Sequence, residues 1–211
     1  MSKAVERQRT AEPHPSSSRQ VHMESSPQTQ GWYCAEADDQ GFVPFEYLQA
    51  QARRMTEAQF VAAFPASALM VVYRGLDQAE NEGMDPNQSG VQLLTVNVRS
   101  AAVLRYLGRV AFVCKRPGNP YAHLISVGRS AGNDITISVD SVSKVHGYLV
   151  TEDDALRFTD HGSTNGSRIN GHALAPNQKF SLTDGDILQL GLEVMMELLS
   201  PVGLYQRCMA D

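Results

Sequence analysis

Residues 128–191 read GRSAGNDITISVDSVSKVHGYLVTEDDALRFTDHGSTNGSRINGHALAPNQKFSLTDGDILQLG. Short apolar or alternating runs recur in this stretch and on both sides of it. The runs are RVAFVCKR (109–116), HLISVG (123–128), ITIS (135–138), GYLVTE (147–152), ALRFTD (155–160), KFSL (179–182), DILQLG (186–191) and VMMELL (194–199). Turn signals such as AGND, EDD, NG and TDG separate them. Many short strands between frequent turns predict an all-β sandwich or barrel.

Polar residues that suit a phosphate fall in the connections between these runs. They are Arg129, Ser143, Lys144, Ser163, Thr164 and Asn165. A phosphate on a side chain carries about −1.5 to −2 charges and three acceptor oxygens, so hydroxyl, guanidinium, ammonium and backbone N–H groups would hold it together. None of these residues resembles an activated nucleophile. The pattern therefore indicates phosphate recognition without catalysis.

Four segments, taken in order, carry a more specific signal. They are Gly128–Arg129 with Asn133–Ile135, the SxxH of residues 143–146, DHGSTNG (160–166) running on to Asn170–Gly171, and residues 184–191. In this order they resemble a forkhead-associated (FHA) domain protein of bacterial type, and one segment alone would be a chance match. The resemblance covers about residues 107–200 and implies a sandwich of two antiparallel sheets that binds phosphothreonine peptides.

The resemblance also implies a role for each matched binding residue. Arg129 would contact the phosphate or the peptide backbone, Ser143 would hydrogen-bond a phosphate oxygen, and Lys144 would add a cation. Thr164 would supply a second hydroxyl, and the Asn165 amide would hold the peptide main chain extended. Arginine is commoner in the family at the place of Lys144. Because lysine offers a point charge without a planar fork, we expect weaker geometric selection there.

Three further residues would support the site without touching the ligand. In the family, the histidine that matches His146 braces the loop beneath the serine, and the glycine that matches Gly128 allows two chain segments to approach closely. Gly166 belongs to the same supporting set.

These residues predict a non-catalytic phosphothreonine-binding module that acts as an adaptor downstream of a Ser/Thr protein kinase. A phosphorylation-independent scaffold that uses the same sandwich or residues 31–106 is the alternative. An enzyme with its active site in residues 31–106 is a third class, but no nucleophile–base pair, paired carboxylates or phosphate-binding loop is visible there. We therefore expect no enzyme activity and no cofactor.

Composition excludes several other classes. A net charge of −5 argues against a nucleic-acid partner, since such proteins usually present a strongly basic face. No apolar run approaches the roughly 20 residues of a membrane span, and the N-terminus lacks a secretory signal pattern, so we expect a cytoplasmic protein without a membrane partner. The three cysteines are widely spaced, which suits reduced thiols, and the histidines lack metal-ligand spacing.

The remainder of the chain divides into three parts. Residues 1–30 are rich in Ser, Pro and Gln and predict a disordered tail. Within it, RQRT (7–10) resembles a basophilic kinase site, and a phosphorylated Thr10 could fold back onto the chain's own pocket. Residues 31–106 predict a mixed, partly helical extension, and residues 201–211 a short C-terminal helix.

The extension contains recognisable local signals. PFEYLQAQARR (44–54) predicts one helix with proline in its first turn, and Thr56 with Gln59 predicts a capping box for a second helix that ends before Pro65. Runs 68–73 and 91–98 predict strands, and run 101–107 fits either a helical turn or a strand.

Overall fold

The computed structural model describes residues 34–72, 101–119 and 123–210. The predicted tail with Thr10 and the predicted strand at 91–98 lie outside these residues. The elements in chain order are β1 (Phe42–Pro44), α1 (Phe45–Ala52), α2 (Glu57–Ala63), β2 (Ala68–Val72), α3 (Ala101–Leu104), β3 (Arg109–Phe112), β4 (Ile125–Gly128), β5 (Ile135–Thr136), β6 (Gly147–Glu152), β7 (Ala155–Asp160), β8 (Ser167–Ile169), β9 (His172–Ala173), β10 (Lys179–Leu182), β11 (Ile187–Leu190), β12 (Val194–Leu199) and α4 (Pro201–Met209).

The strands form two sheets that face each other. One sheet has the order β1-β3-β2-β12-β11-β8-β9 and the other has the order β10-β7-β6-β4-β5. Neighbouring strands are antiparallel, except that the short β5 pairs with β4 in parallel. The predicted all-β sandwich is confirmed.

An apolar core fills the space between the sheets. Leu69 and Val71 of β2 and Leu188 of β11 meet Leu149 and Phe158 of the opposite sheet, and none of the five is more than 2% exposed. Burying one such side chain stabilises the fold by about 1.5–3 kcal/mol. This core fixes the strand ends from which the loops of the site extend.

A second apolar cluster covers the outer face of the seven-stranded sheet. Ala68 and Met70 alternate with the core residues of β2 and point to this face, where they share a cluster with Leu48 of α1, Phe60 of α2 and Leu204 of α4. Because both faces of β2 are covered, its sequence ALMVV lacks polar alternation. The helices therefore form a third layer on the sandwich.

Both predicted N-terminal helices are present, but α1 begins one residue later than predicted, so Pro44 is not in its first turn. The Gln59 N–H donates to Thr56 Oγ1 at 3.3 Å and the Thr56 N–H donates to Gln59 Oε1 at 2.9 Å, so the predicted capping box is confirmed. Pro44 precedes the first turn of α1 as its N-cap. The ambiguous run at 101–107 begins with the helical turn α3.

Three strands escaped the sequence interpretation. β1 is three residues long, and β8 and β9 lie in the polar segment SRINGHA, where neither length nor alternation indicates a strand. β1 and β2 precede residue 107 yet pair within the same sheet as β3 and β12. The division of the chain at residue 107 stays a prediction.

Within the three described ranges, no helix combines the length and apolar character needed to cross a bilayer.

Replacing Leu204 with alanine should lower the free energy of unfolding by about 2–5 kcal/mol, because it opens a cavity in the second cluster. Val202→Ala on the same helix removes a side chain that is 39% exposed and should change the stability by no more than about 0.5 kcal/mol. Urea unfolding followed by circular dichroism measures both. Equal losses in the two variants would contradict the packing of α4 on the sheet.

Candidate functional site

Two loops at one end of the sandwich carry the predicted hydroxyl groups. The Ser143 loop, residues 137–146, connects β5 to β6, and the Thr164 loop, residues 161–166, connects β7 to β8. The Thr164 N–H donates to Ser143 Oγ at 3.0 Å, and the two side-chain oxygens lie 3.4 Å apart. Thr164 is exposed and Ser143 is half-buried. The structure therefore places both hydroxyls side by side at the surface.

Arg129 follows β4 directly and is hydrogen-bonded to the main chain of the Ser143 loop. Its N–H donates to the Ser143 carbonyl at 2.9 Å, and its Nε donates to the Val142 carbonyl at 3.2 Å. The nearest carboxylate oxygen, on Asp140, is 3.9 Å from one terminal nitrogen, and the Arg129 side chain is 42% exposed. A guanidinium has five N–H donors, so those at its tip remain available to an oxyanion.

Asn165 and Lys144 complete the predicted set in different ways. Asn165 Nδ2 donates to the Ser141 carbonyl at 2.9 Å, which links the Thr164 loop to the Ser143 loop a second time. Lys144 is exposed, and within the described residues its ammonium has neither a hydrogen bond nor an ion pair. The structure joins Arg129, Thr164 and Asn165 to the Ser143 loop by hydrogen bonds, and Lys144 belongs to that loop through its place in the chain alone.

His146 holds the two loops together from below. Its Nδ1 accepts the Ser143 N–H at 3.1 Å, and its Nε2 lies 3.2 Å from the Gly166 carbonyl oxygen and 3.2 Å from Ser167 Oγ. The ring is completely buried. Because Nδ1 accepts, the neutral ring carries its proton on Nε2 and donates from there to Gly166. Burial lowers the pKa of His146, and the nearby Asp160 carboxylate only partly opposes this effect.

Asp160 shapes the Thr164 loop, a role that the sequence interpretation missed. Its Oδ1 accepts the Ser163 N–H at 2.8 Å, and its Oδ2 accepts the Ser163 and Ser167 hydroxyls. Burial raises the pKa of this carboxyl, but the hydrogen bonds from Ser167 and Ser163 outweigh burial, and the pKa is lowered overall. The spacing Asp-x-x-Ser (160–163) is the sequence pattern that indicates this role, since aspartate commonly accepts hydrogen bonds from the turn that follows it.

Gly128 allows the close approach that the resemblance implies. A Cβ at this position would lie 2.5 Å from the Lys144 carbonyl oxygen and 2.9 Å from Asn133 Nδ2. Asn133 is buried, and its amide donates to the carbonyls of Lys144 and Ser130 at 2.7 Å each. Any larger residue in place of Gly128 would therefore displace the chain that carries Ser143 and Lys144.

The described residues offer no obvious centre for metal or thiol chemistry. Among them, no group of three or more His, Cys, Asp or Glu side chains could hold a metal ion. Cys34, Cys114 and Cys208 are free and buried. Burial raises the pKa of Cys114 to about 12 and that of Cys208 to about 11, which keeps both thiols protonated near neutral pH.

Residues 125–191 match the family model of the FHA domain. This range contains all five predicted binding residues, and the resemblance drawn from the sequence is confirmed over it. FHA domains are binding modules for phosphothreonine peptides.

Several known proteins are similar to this chain. An FHA domain-containing protein of Arabidopsis thaliana is 37% identical over 68 residues, which are 32% of this chain and 18% of that protein, so the chain spans less than a fifth of this relative. The FHA domain of an A. thaliana hypothetical protein is 32% identical, with 36% of this chain and 66% of that chain covered and a TM-score of 0.35. The N-terminal FHA domain of S. cerevisiae Rad53p, solved with a phosphothreonine peptide, is 22% identical over 41% of this chain and 74% of that chain, with a TM-score of 0.36. The curated relative is a plant protein, so the bacterial-type assignment gains no support.

The free energy of unfolding should fall as the pH drops below about 6.5, the usual pKa of an unfolded histidine. Because the pKa of His146 is lowered in the folded protein, the unfolded chain binds more protons in this interval, and acid favours unfolding. The loss should continue until the pH reaches the lowered pKa. The shift of Asp160 acts in the same direction but only below its ordinary value of 3.8. Urea unfolding at pH 7.5, 6.5, 5.5 and 4.5 measures the slope.

His146→Gln is the matched variant for this experiment. It should be less stable than wild type at pH 7.5 by about 1–3 kcal/mol, because the partly buried Ser143 N–H and Gly166 carbonyl lose their common partner. Its stability should also change less than that of wild type between pH 6.5 and 4.5. Parallel pH curves for the two proteins would show that another group titrates.

Proposed function

We propose that this protein binds phosphothreonine-containing segments of a partner protein through Arg129, Ser143, Lys144, Thr164 and Asn165. The observation that carries this proposal is the contact between the Ser143 and Thr164 hydroxyls, with the Arg129 guanidinium hydrogen-bonded to the Ser143 loop at the Val142 carbonyl. Donors of these types, fixed at one surface point, suit a dianionic phosphate ester. The match to the FHA domain over residues 125–191 supports the same function.

The hydrogen bonds of the site without a ligand indicate how it would bind a phosphate. The 3.4 Å separation of the Ser143 and Thr164 oxygens is at the long limit for a hydrogen bond between hydroxyls, so exchanging it for two bonds to phosphate oxygens costs little. Arg129 can keep its Nε bond to Val142 and turn its tip toward the phosphate. The exposed ammonium of Lys144 would add charge, and the exposed Asn165 would hold the peptide main chain.

The expected affinity is moderate. Each hydrogen bond to a charged group contributes about 1.5–3 kcal/mol, and the entropy lost on binding offsets much of the sum of three or four such bonds. We therefore expect a dissociation constant in the micromolar range, which corresponds to a binding free energy of about −8 kcal/mol. Such a value suits an interaction that forms and breaks as the partner is phosphorylated and dephosphorylated.

A role in kinase signalling follows from the ligand. A phosphothreonine exists on the partner only after a Ser/Thr protein kinase has acted, so the protein would work downstream of such a kinase as a non-catalytic adaptor in the cytoplasm. The partner and the kinase are to be identified by experiment, and an oriented phosphothreonine peptide library is the first screen.

Removing Arg129 or Ser143 should weaken phosphopeptide binding at least tenfold, because each change removes a hydrogen bond to a charged group. Isothermal titration calorimetry with the best library peptide measures Arg129→Ala and Ser143→Ala. Arg54→Ala and Ser181→Ala, which alter exposed residues of the turn after α1 and of β10, are the matched controls and should bind as wild type does. Wild-type affinity in both site variants would show that these loops are not the site.

Binding should depend on the phosphate itself. The unphosphorylated peptide should show no binding at concentrations that saturate the phosphopeptide, and phosphoserine should bind more weakly than phosphothreonine because it lacks one methyl group, worth about 0.8 kcal/mol when buried. Fluorescence anisotropy with the three peptides tests this order. Equal binding of the unphosphorylated peptide would favour the alternative, a phosphorylation-independent scaffold.

A further inference from the structure

The Ser143 loop is held at its start by a segment outside the range that matches the FHA domain. Arg105 and Tyr106 follow α3, and both contact the main chain of Ser138. A terminal nitrogen of Arg105 donates to the Ser138 carbonyl at 2.6 Å, and the Ser138 N–H donates to the Tyr106 hydroxyl at 2.9 Å. Both backbone polar groups of one residue are thus bound by two adjacent side chains.

These two side chains are themselves held in place. Tyr106 is only 1% exposed, and its ring packs against Phe42 with 5.3 Å between ring centroids, so the sandwich core fixes the position of its hydroxyl. The Arg105 Nε donates to the Ala102 carbonyl at 3.1 Å, and the guanidinium carbon lies 5.3 Å from the centre of the Tyr106 ring. We call this pair the Arg105–Tyr106 clamp.

Ser138 needs such a clamp because the strand before it is short. β5 ends at Thr136, and after the bond from the Ile137 N–H to the Gly128 carbonyl the chain leaves the sheet. Beyond Ser138, the loop presents the Ser141 carbonyl to Asn165 and the Val142 carbonyl to Arg129. An unanchored start would allow the loop more conformations, and ordering them on binding costs free energy.

We propose that Arg105 and Tyr106 are positioning residues of the phosphopeptide site, which fix the Ser143 loop in its binding conformation. The inference rests on the proposed function. It assigns a share of the affinity to a segment between β2 and β3, outside residues 125–191. Neither residue needs to touch the phosphate, since both act through Ser138.

Tyr106→Phe is the sharpest test, because it removes only the hydroxyl and keeps the ring in the core. The dissociation constant of the best phosphothreonine peptide should rise about threefold to tenfold, the range expected for the loss of one hydrogen bond that holds the site. Calorimetry is done far below the unfolding temperature, where both proteins are fully folded, so a loss of stability alone leaves the constant unchanged. Tyr205→Phe, whose ring packs on Phe60 in the helical layer, is the matched control.

Arg105 provides a second and independent variant. Arg105→Ala should weaken binding by a similar factor, and Arg105→Lys should restore part of it, since an ammonium can also donate to the Ser138 carbonyl. Arg54→Ala controls for the loss of one positive charge. Equal weakening by Arg105→Ala and Arg54→Ala would point to charge at the surface and overturn the clamp.

Hydrogen exchange of the amides of residues 138–144 separates this inference from the proposed function. Faster exchange in Tyr106→Phe than in Tyr205→Phe, together with weaker peptide binding, supports the clamp. If no phosphopeptide binds to wild type, the proposed function is wrong, but faster exchange still shows that Tyr106 anchors the loop. Unchanged exchange in Tyr106→Phe, or faster exchange with an unchanged dissociation constant, overturns the inference.

Discussion

The candidate site depends on one buried, neutral imidazole. His146 accepts a hydrogen bond from the Ser143 N–H on one side and lies at hydrogen-bonding distance from the Gly166 carbonyl on the other, so it joins the two loops that carry the hydroxyls. Protonation would turn its acceptor nitrogen into a donor facing the Ser143 N–H, and both loops would lose their common support. The burial that excludes water from the ring also keeps it neutral.

The seven-stranded sheet is covered on both faces at β2. β2 contributes Leu69 to the sandwich core and Met70 to the helical layer, and it pairs with β12 and β3. β1 and β2, which precede residue 107, are therefore part of the same sheet as β8 and β11. Arg105 and Tyr106 also precede residue 107, and their side chains contact Ser138 in the Ser143 loop.

Charge placement, and not total charge, suits the site to a phosphate. The chain has a net charge of −5, yet Arg129 and Lys144 lie exposed beside two hydroxyls, and the nearest carboxylate oxygen to the Arg129 guanidinium, on Asp140, is 3.9 Å away. An exposed ion pair at this distance contributes at most about 1 kcal/mol. A dianion would therefore meet little competition for the guanidinium.

The sequence by itself determined most strands of the sandwich, the capping box at Thr56 and the grouping of the predicted binding residues in loops, because alternation, turn residues and capping are local properties. It did not indicate β1, β8 and β9, which are too short for a periodic signal, or the role of Asp160 beneath the Thr164 loop. Only the tertiary structure placed Tyr106 against Ser138 and β2 between β3 and β12. Contacts between residues far apart in the chain depend on how whole elements pack, and no local pattern encodes that geometry.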